Sequence, residues 1–214
     1  MTPAAQTLIH TALERGALKL GEFTLKSGRP SPYFFNFGAL DNGAALMQAA
    51  EAYADLLIDT EFDVLFGPAY KGIPLVAAIA VVMARRGRSV AFAYNRKEAK
   101  SHGEGGNLVG APVTGRIALV DDVVTAGTAI RQAIEMVRAA GGQPVLAVVA
   151  LDRPVAGLDG GSPLASRADQ EQGGVRSLFT AADVANTIET SQPGAADAIR
   201  RHLGEYGAGA AKAS

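Results

Sequence analysis

The chain predicts an α/β fold with a central, mostly parallel sheet flanked by helices. Three observations carry this expectation. Short apolar runs, Val64-Leu65-Phe66, Ile117-Ala118-Leu119-Val120 and Val145-Leu146-Ala147-Val148-Val149, have the composition of strands buried on both faces. Segments with apolar residues at helical spacing alternate with them. Two of these strands run into a loop of small residues that opens a helix, the place where open α/β sheets bind ligands. At 214 residues the chain suits a single domain, set at residues 1–204, with 205–214 as a disordered tail.

Hydrophobic residues make up 48% of the chain and charged residues 19%, an ordinary balance for a globular protein. No apolar run is long enough to span a bilayer, and residues 1–13 lack the basic-then-apolar pattern of a signal peptide. The absence of cysteine excludes disulfides and thiolate chemistry and fits a cytoplasmic location. With 20 basic against 21 acidic residues the net charge is −1, without the basic excess of a nucleic-acid binder. Neither nucleic acid nor membrane is expected as a partner. A polyanionic ligand would have to meet basic residues gathered locally in loops.

In chain order, residues 6–18 read as a helix, with Leu8, Ile9, Ala12 and Leu13 on one face and Gly16 near its end. His10 lies on it as a surface residue. Phe23-Thr24-Leu25 alternates like a strand, and Gly28, Pro30 and Pro32 then break the pattern into a loop. Tyr33-Phe34-Phe35 follows, three aromatics in a chain that is only 6% aromatic. They read equally as a cluster closing the core or as a stacking surface for a flat ring, with the charge of Lys26 nearby. Residues 44–59 form a helix whose apolar face holds Leu46, Met47, Ala50, Tyr53, Ala54 and Leu57. Residues 63–66 are a short strand, and residues 73–86 an apolar helix. The loop between them, Gly67-Pro68-Ala69-Tyr70-Lys71-Gly72, can offer N–H groups and the Lys71 ammonium to an anion.

Residues 89–94 are a further strand. Beyond it Arg96, Lys97, Lys100 and His102 precede four glycines with almost no apolar anchor. Alone, such a stretch is a solvated loop; it also has the composition of a mobile lid over residues 96–110 that orders on a polyanion. The run 116–131 is the centre of the chain. Its buried strand meets Asp121 and Asp122, then Val123, Val124 and the small residues Thr125-Ala126-Gly127-Thr128. Ile130, Ala133, Ile134 and Val137 then recur at helical spacing until Gly141-Gly142. The small-residue loop and helix start suit a phosphate. The carboxylates suit sugar hydroxyls, or Mg²⁺ that a substrate diphosphate also holds. An isolated Asp-Asp is usually a solvated strand end; joined to this loop and helix it reads as a site.

Residues 144–151 are a buried strand ending in Asp152-Arg153. Arg153 could take a carboxylate through two parallel hydrogen bonds, or pair with Asp152. Residues 155–174 lack periodicity and form a surface excursion. Residues 175–180 are an edge strand, Thr180 to Asp183 has the pattern of a capped helix start, and residues 195–203 are a last helix with His202 on a solvated face.

Val120-Asp121-Asp122-Val123-Val124-Thr125-Ala126-Gly127-Thr128-Ala129 resembles the phosphoribosyl pyrophosphate (PRPP) signature of type I phosphoribosyltransferases. The stretch from Phe23 to Asn36 resembles the N-terminal segment of the orotate-directed branch. The likeness runs from Gln6 to about Glu189 and departs at residues 155–174 and at the tail. It implies the type I phosphoribosyltransferase fold, with a small hood from the N-terminal segment and the C-terminal part. It also implies transfer of the 5-phosphoribosyl group of PRPP to N1 of orotate, a step of pyrimidine biosynthesis that releases pyrophosphate. By resemblance PRPP falls to Lys26, Tyr70, Lys71, Arg96, Lys97, Lys100 and His102, and to Asp121, Asp122, Val123, Val124, Thr125, Ala126, Gly127, Thr128 and Ala129. Orotate falls to Phe34, Phe35, Thr125 and Arg153, and catalysis to Lys100, Asp121 and Asp122. Mg²⁺ would be held mainly through PRPP, with Asp121 and Asp122 as candidate protein ligands. In the family Arg96, Lys100 and His102 reach the neighbouring subunit's site, which implies a homodimer. Two alternatives stay open. One is transfer to another base, against which residues 27–36 and Arg153 speak. The other is a PRPP-sensing regulator without turnover, which would lack the lid cations or carry a basic nucleic-acid surface.

Overall fold

Thr2 and Pro3 start the first helix three residues earlier than the apolar spacing alone implies. The Thr2 hydroxyl accepts from the Ala5 N–H, and Pro3 occupies the first helical position, where it loses no hydrogen bond. The computed structural model describes residues 1–25, 28–100, 106–124, 128–152 and 174–206. Helix α1 (Pro3–Glu14) ends before Gly16, so Leu18, expected in the helix, opens strand β1 (Leu18–Thr24). β1 pairs antiparallel with β2 (Pro30–Phe35), which corrects the loop expected there. Pro30 stands at the first position of β2, and a two-stranded ribbon has an open edge, so both prolines fit.

Helix α2 (Gly43–Leu57) is capped by the Asn42 side chain, which accepts from the Ala45 N–H at 2.9 Å. β3 (Val64–Gly67) leads into α3 (Gly72–Arg85), and β4 (Ala91–Lys100) follows. β5 (Gly106–Gly110) folds back on β4. The lid expected over residues 96–110 is therefore partly a hairpin, with Asn95 paired to Leu108 and Lys100 to Gly106; residues 101–105 lie outside the described residues. Its anchor is Leu108, packed on a core cluster. Gly110 lets β5 cross β4 closely at φ +101°, where a Cβ would stand 2.4 Å from the Phe92 carbonyl oxygen.

β6 (Gly115–Val124), α4 (Thr128–Ala139) and β7 (Gly142–Asp152) form the central unit, followed by β8 (Val175–Thr180) and α5 (Ala181–Ile188). The capping box expected at Thr180 is present: its hydroxyl accepts from the Asp183 N–H, and Asp183 accepts from the Thr180 N–H. α6 (Pro193–Tyr206) runs past the expected end, so residues 205 and 206 belong to a helix, not to the tail; residues 207–214 lie outside the described residues. His202, expected on a solvated face, is half-buried with its ring edge-on to Tyr33 at 6.3 Å. Of the 155–174 excursion only Gly174 is described.

The six-stranded sheet has the order β5-β4-β3-β6-β7-β8, parallel throughout except for β5, with β8 at the edge as expected. The chain leaves β3 towards β4 on one side and continues from β6 to β7 on the other. Right-handed crossovers in opposite directions put α3 and α4 on opposite faces. Leu75, Val76 and Ile79 of α3 join one core with α1, α2 and α5, whereas Ile130, Ala133 and Val137 of α4 close the other. Burying side chains such as Leu8, Ile9 and Phe179 completely contributes about 1.5–3 kcal/mol each. The direction reverses between β3 and β6, so their C-terminal ends flank the crevice of the fold.

Candidate active site

Two elements 51 positions apart in sequence meet at that crevice. The first is the loop from Gly67 to Gly72. A Cβ on Gly67 would stand 2.2 Å from the Gly72 carbonyl oxygen, so only glycine lets the loop close so tightly. The Ala69–Tyr70 peptide is cis. The Gly72 N–H donates to the Pro68 carbonyl, the Ile73 N–H to that of Tyr70, and Pro74 has none. The first donors of α3 are thus consumed within the loop. Towards the crevice the loop carries the Lys71 ammonium, with Tyr70 beside it, 65% exposed.

The second element is the end of β6. Asp121 and Asp122 lie within the strand rather than at its end, because β6 stays paired with β7 as far as Val124 and Asp152. Lys71 Nζ donates to Asp122 Oδ2 at 2.5 Å, and this ion pair joins loop to strand. The Asp122 N–H donates to Asp121 Oδ1 at 2.9 Å. Burial pushes the Asp121 carboxyl up to about 6, and the adjacent Asp122 charge acts in the same direction. The pair is therefore asymmetric: Asp122 is salt-bridged to Lys71 and half-buried Asp121 accepts from the Asp122 N–H.

Thr128 and Ala129 begin α4, while Thr125, Ala126 and Gly127 lie outside the described residues. Arg96, Lys97 and Lys100 are on β4 in the hairpin, with Arg96 half-buried; His102, Lys26 and Arg153 lie outside the described residues. The two phenylalanines part company. Phe34 is 41% exposed with its ring 5.8 Å from that of Phe23, whereas Phe35 is 4% exposed and packs edge-on against Phe37 and Phe179. Successive strand residues face opposite sides, so a flat ligand can stack on Phe34 but not on the ring of Phe35.

Two residues here have no place in the sequence-based site. Asn95, 8% exposed, accepts from the Ala69 N–H at 2.8 Å and donates to the Arg96 carbonyl at 3.3 Å, tying the Lys71 loop to the root of the hairpin. Tyr53, counted only as part of an apolar face, donates from its hydroxyl to the Asp121 carbonyl at 2.6 Å. A polar atom on an otherwise aliphatic helix face was the one available signal for Tyr53. Beside the site, Asp152 Oδ1 is buried without a hydrogen-bond partner among the described residues, and burial raises its pKa.

A family model described as a phosphoribosyl transferase domain matches residues 38–160. The orotate phosphoribosyltransferase of Xanthomonas campestris pv. campestris (strain B100) is 59% identical over 156 residues, 72% of this chain and 71% of that one. The chain belongs to the orotate phosphoribosyltransferase family. That of Janthinobacterium sp. (strain Marseille) is 54% identical over 155 residues, 72% of this chain and 70% of its own. Among solved structures, the orotate phosphoribosyltransferase of Francisella tularensis superposes with a TM-score of 0.83 at 37% identity, covering 94% of this chain and 99% of that one. A Mycobacterium tuberculosis orotate phosphoribosyltransferase in complex with PRPP shares the fold, with a TM-score of 0.65 at 24% identity over 85% of this chain and 99% of that one. The fold expected of the family, a mostly parallel central sheet flanked by helices, is the one observed. No helix among the described residues is long and apolar enough to cross a membrane.

Proposed function

We propose that the chain transfers the 5-phosphoribosyl group of PRPP to N1 of orotate, giving orotidine 5′-monophosphate and pyrophosphate in pyrimidine biosynthesis. The observation that carries this most directly is the Lys71–Asp122 ion pair, which joins a cationic loop to an acidic strand end within this family's fold. In the reaction the C1′–O bond to pyrophosphate breaks, the N1–C1′ bond forms, and N1 gives its proton to solvent. Lys71 moves from Asp122 to the diphosphate, while Asp121 and Asp122 hold the ribose hydroxyls. The 125–129 segment takes the 5′-phosphate. Arg96, Lys97, Lys100 and His102 close over the diphosphate, and Lys100 stabilises its charge as it departs. Phe34 stacks on orotate and Arg153 takes its carboxylate.

Mg²⁺ is part of this proposal, held mainly by the substrate. No group of three or more His, Cys, Asp or Glu gathers among the described residues, but adjacent carboxylates fit an ion that keeps its water and substrate oxygens. It would neutralise charge on the departing pyrophosphate. A homodimer with lid residues crossing between subunits, in the cytoplasm, completes the proposal.

Incubating the protein with PRPP, Mg²⁺ and orotate tests it. Orotate absorbance is expected to fall with equimolar pyrophosphate release, and chelating the metal should stop both. Turnover of uracil or hypoxanthine but not orotate would move the activity to another base. PRPP binding without turnover of any base would favour a sensor.

A further inference from the structure

Tyr53 is fully buried in the alanine-rich face of α2, among Ala49, Ala50, Ala52 and Ala54. Packing there asks only for an aromatic ring, which phenylalanine would supply at almost the same volume. The hydroxyl goes elsewhere, donating at 2.6 Å to the backbone carbonyl of Asp121. The N–H of that same peptide unit, belonging to Asp122, donates at 2.9 Å to the Asp121 carboxylate. The single peptide between the two aspartates is therefore gripped at both ends, by a phenol at its oxygen and a carboxylate at its nitrogen. A hydrogen bond at the carbonyl polarises the amide and strengthens its N–H as a donor, so the two grips reinforce each other. The plane of this peptide also sets the directions in which both aspartate side chains leave the strand.

We propose that Tyr53 is a positioning residue for the acidic pair: its buried hydroxyl fixes the 121–122 peptide from beneath and so aims Asp121 and Asp122 at the ribose of PRPP. This rests on the function proposed above. Tyr53 touches no substrate; it acts through the backbone of β6. The arrangement anchors the site to a helix in the core rather than to a loop, which keeps the pair oriented before substrate arrives.

The test is Tyr53→Phe, assayed with PRPP and orotate each varied in the presence of Mg²⁺, together with a thermal melt. A misaimed pair should lower kcat/KM for PRPP roughly tenfold, as small misplacements of binding groups do. The KM for orotate should change less than about twofold, since the base is held elsewhere, and the melt should keep its cooperativity. A second measurement is the PRPP dissociation constant across Tyr53→Phe, Asp121→Asn and their combination. If the hydroxyl acts through the pair, the double variant binds no worse than Asp121→Asn alone. Unchanged kcat/KM for PRPP overturns the proposal, as does full additivity with Asp121→Asn. Parallel losses in orotate and PRPP constants with an early melt, or failure of Tyr53→Phe to fold, assign the hydroxyl to the core and overturn it too. Wild-type protein run beside the variants separates the two levels. If it makes no orotidine 5′-monophosphate the proposed function itself fails, and the role of Tyr53 with it.

Discussion

Asp121 should be held at a cost to stability, and Asp121→Asn makes that cost measurable. The carboxyl titrates at about 6 in the fold against an ordinary 3.8, because burial and the Asp122 charge both disfavour its ionised form. At neutral pH the ionised group therefore destabilises the folded chain by about 3 kcal/mol. Asparagine has nearly the same shape and its carbonyl can still accept from the Asp122 N–H, so most of this should be recovered. For a domain of this size the ligand-free, metal-free protein should melt roughly 5–10 °C higher. The sign with pH follows from the raised folded pKa. The penalty is complete above about 6, shrinks as pH falls through that value, and vanishes below the unfolded value. The melting gap between variant and wild type should accordingly be widest near pH 8 and close towards pH 4. Asp122→Asn is the control: it removes the partner of a half-exposed Lys71 but also the charge that disfavours ionised Asp121, so the two effects oppose and stability should change by no more than about 1 kcal/mol. Calorimetry across the pH series decides. An Asp121→Asn protein melting at or below wild type near pH 8, or a gap that ignores pH, refutes the account of the desolvated carboxylate.

Gly67→Ala drives a Cβ to 2.2 Å from a backbone oxygen, so the Lys71 loop must open. Catalytic efficiency for PRPP should drop by as much as about 10²-fold, and unchanged kinetics would remove the loop from the site. If the chain is a homodimer whose lid residues cross between subunits, mixing Lys100→Ala with the double variant Asp121→Asn, Asp122→Asn should restore activity. Demonstrated subunit exchange without activity would assign each lid to its own subunit. Arg153→Lys should weaken orotate use by about 2–3 kcal/mol and erode the preference for orotate over uracil, while PRPP affinity holds. Retained orotate preference with lost PRPP affinity would place Arg153 at the phosphates instead.

Much of this protein is written in local spacing. The β-branched runs at β3, β6 and β7, the helical recurrence in α2, α3 and α4, and the Thr180–Asp183 cap are set by interactions within a few residues. The run from Val120 to Ala129 could be recognised because strand, acidic pair and small residues are contiguous in the chain. Tertiary structure decided what depends on neighbours distant in sequence. Phe34 and Phe35 are chemically equal in sequence, and only the pairing of β2 with β1 over Phe179 turns one outward and seals the other in the core. The glycine-rich lid reads as unanchored until Leu108 finds the second core. Asp121 and Asp122 are likewise indistinguishable in sequence. Burial raises the first, Lys71 claims the second across 51 positions, and Tyr53 reaches up from α2 to the peptide between them. Periodicity reports which face of an element is apolar. The partner of each polar group is chosen by strand order and by which helix covers which face, and these emerge only when the whole core is assembled.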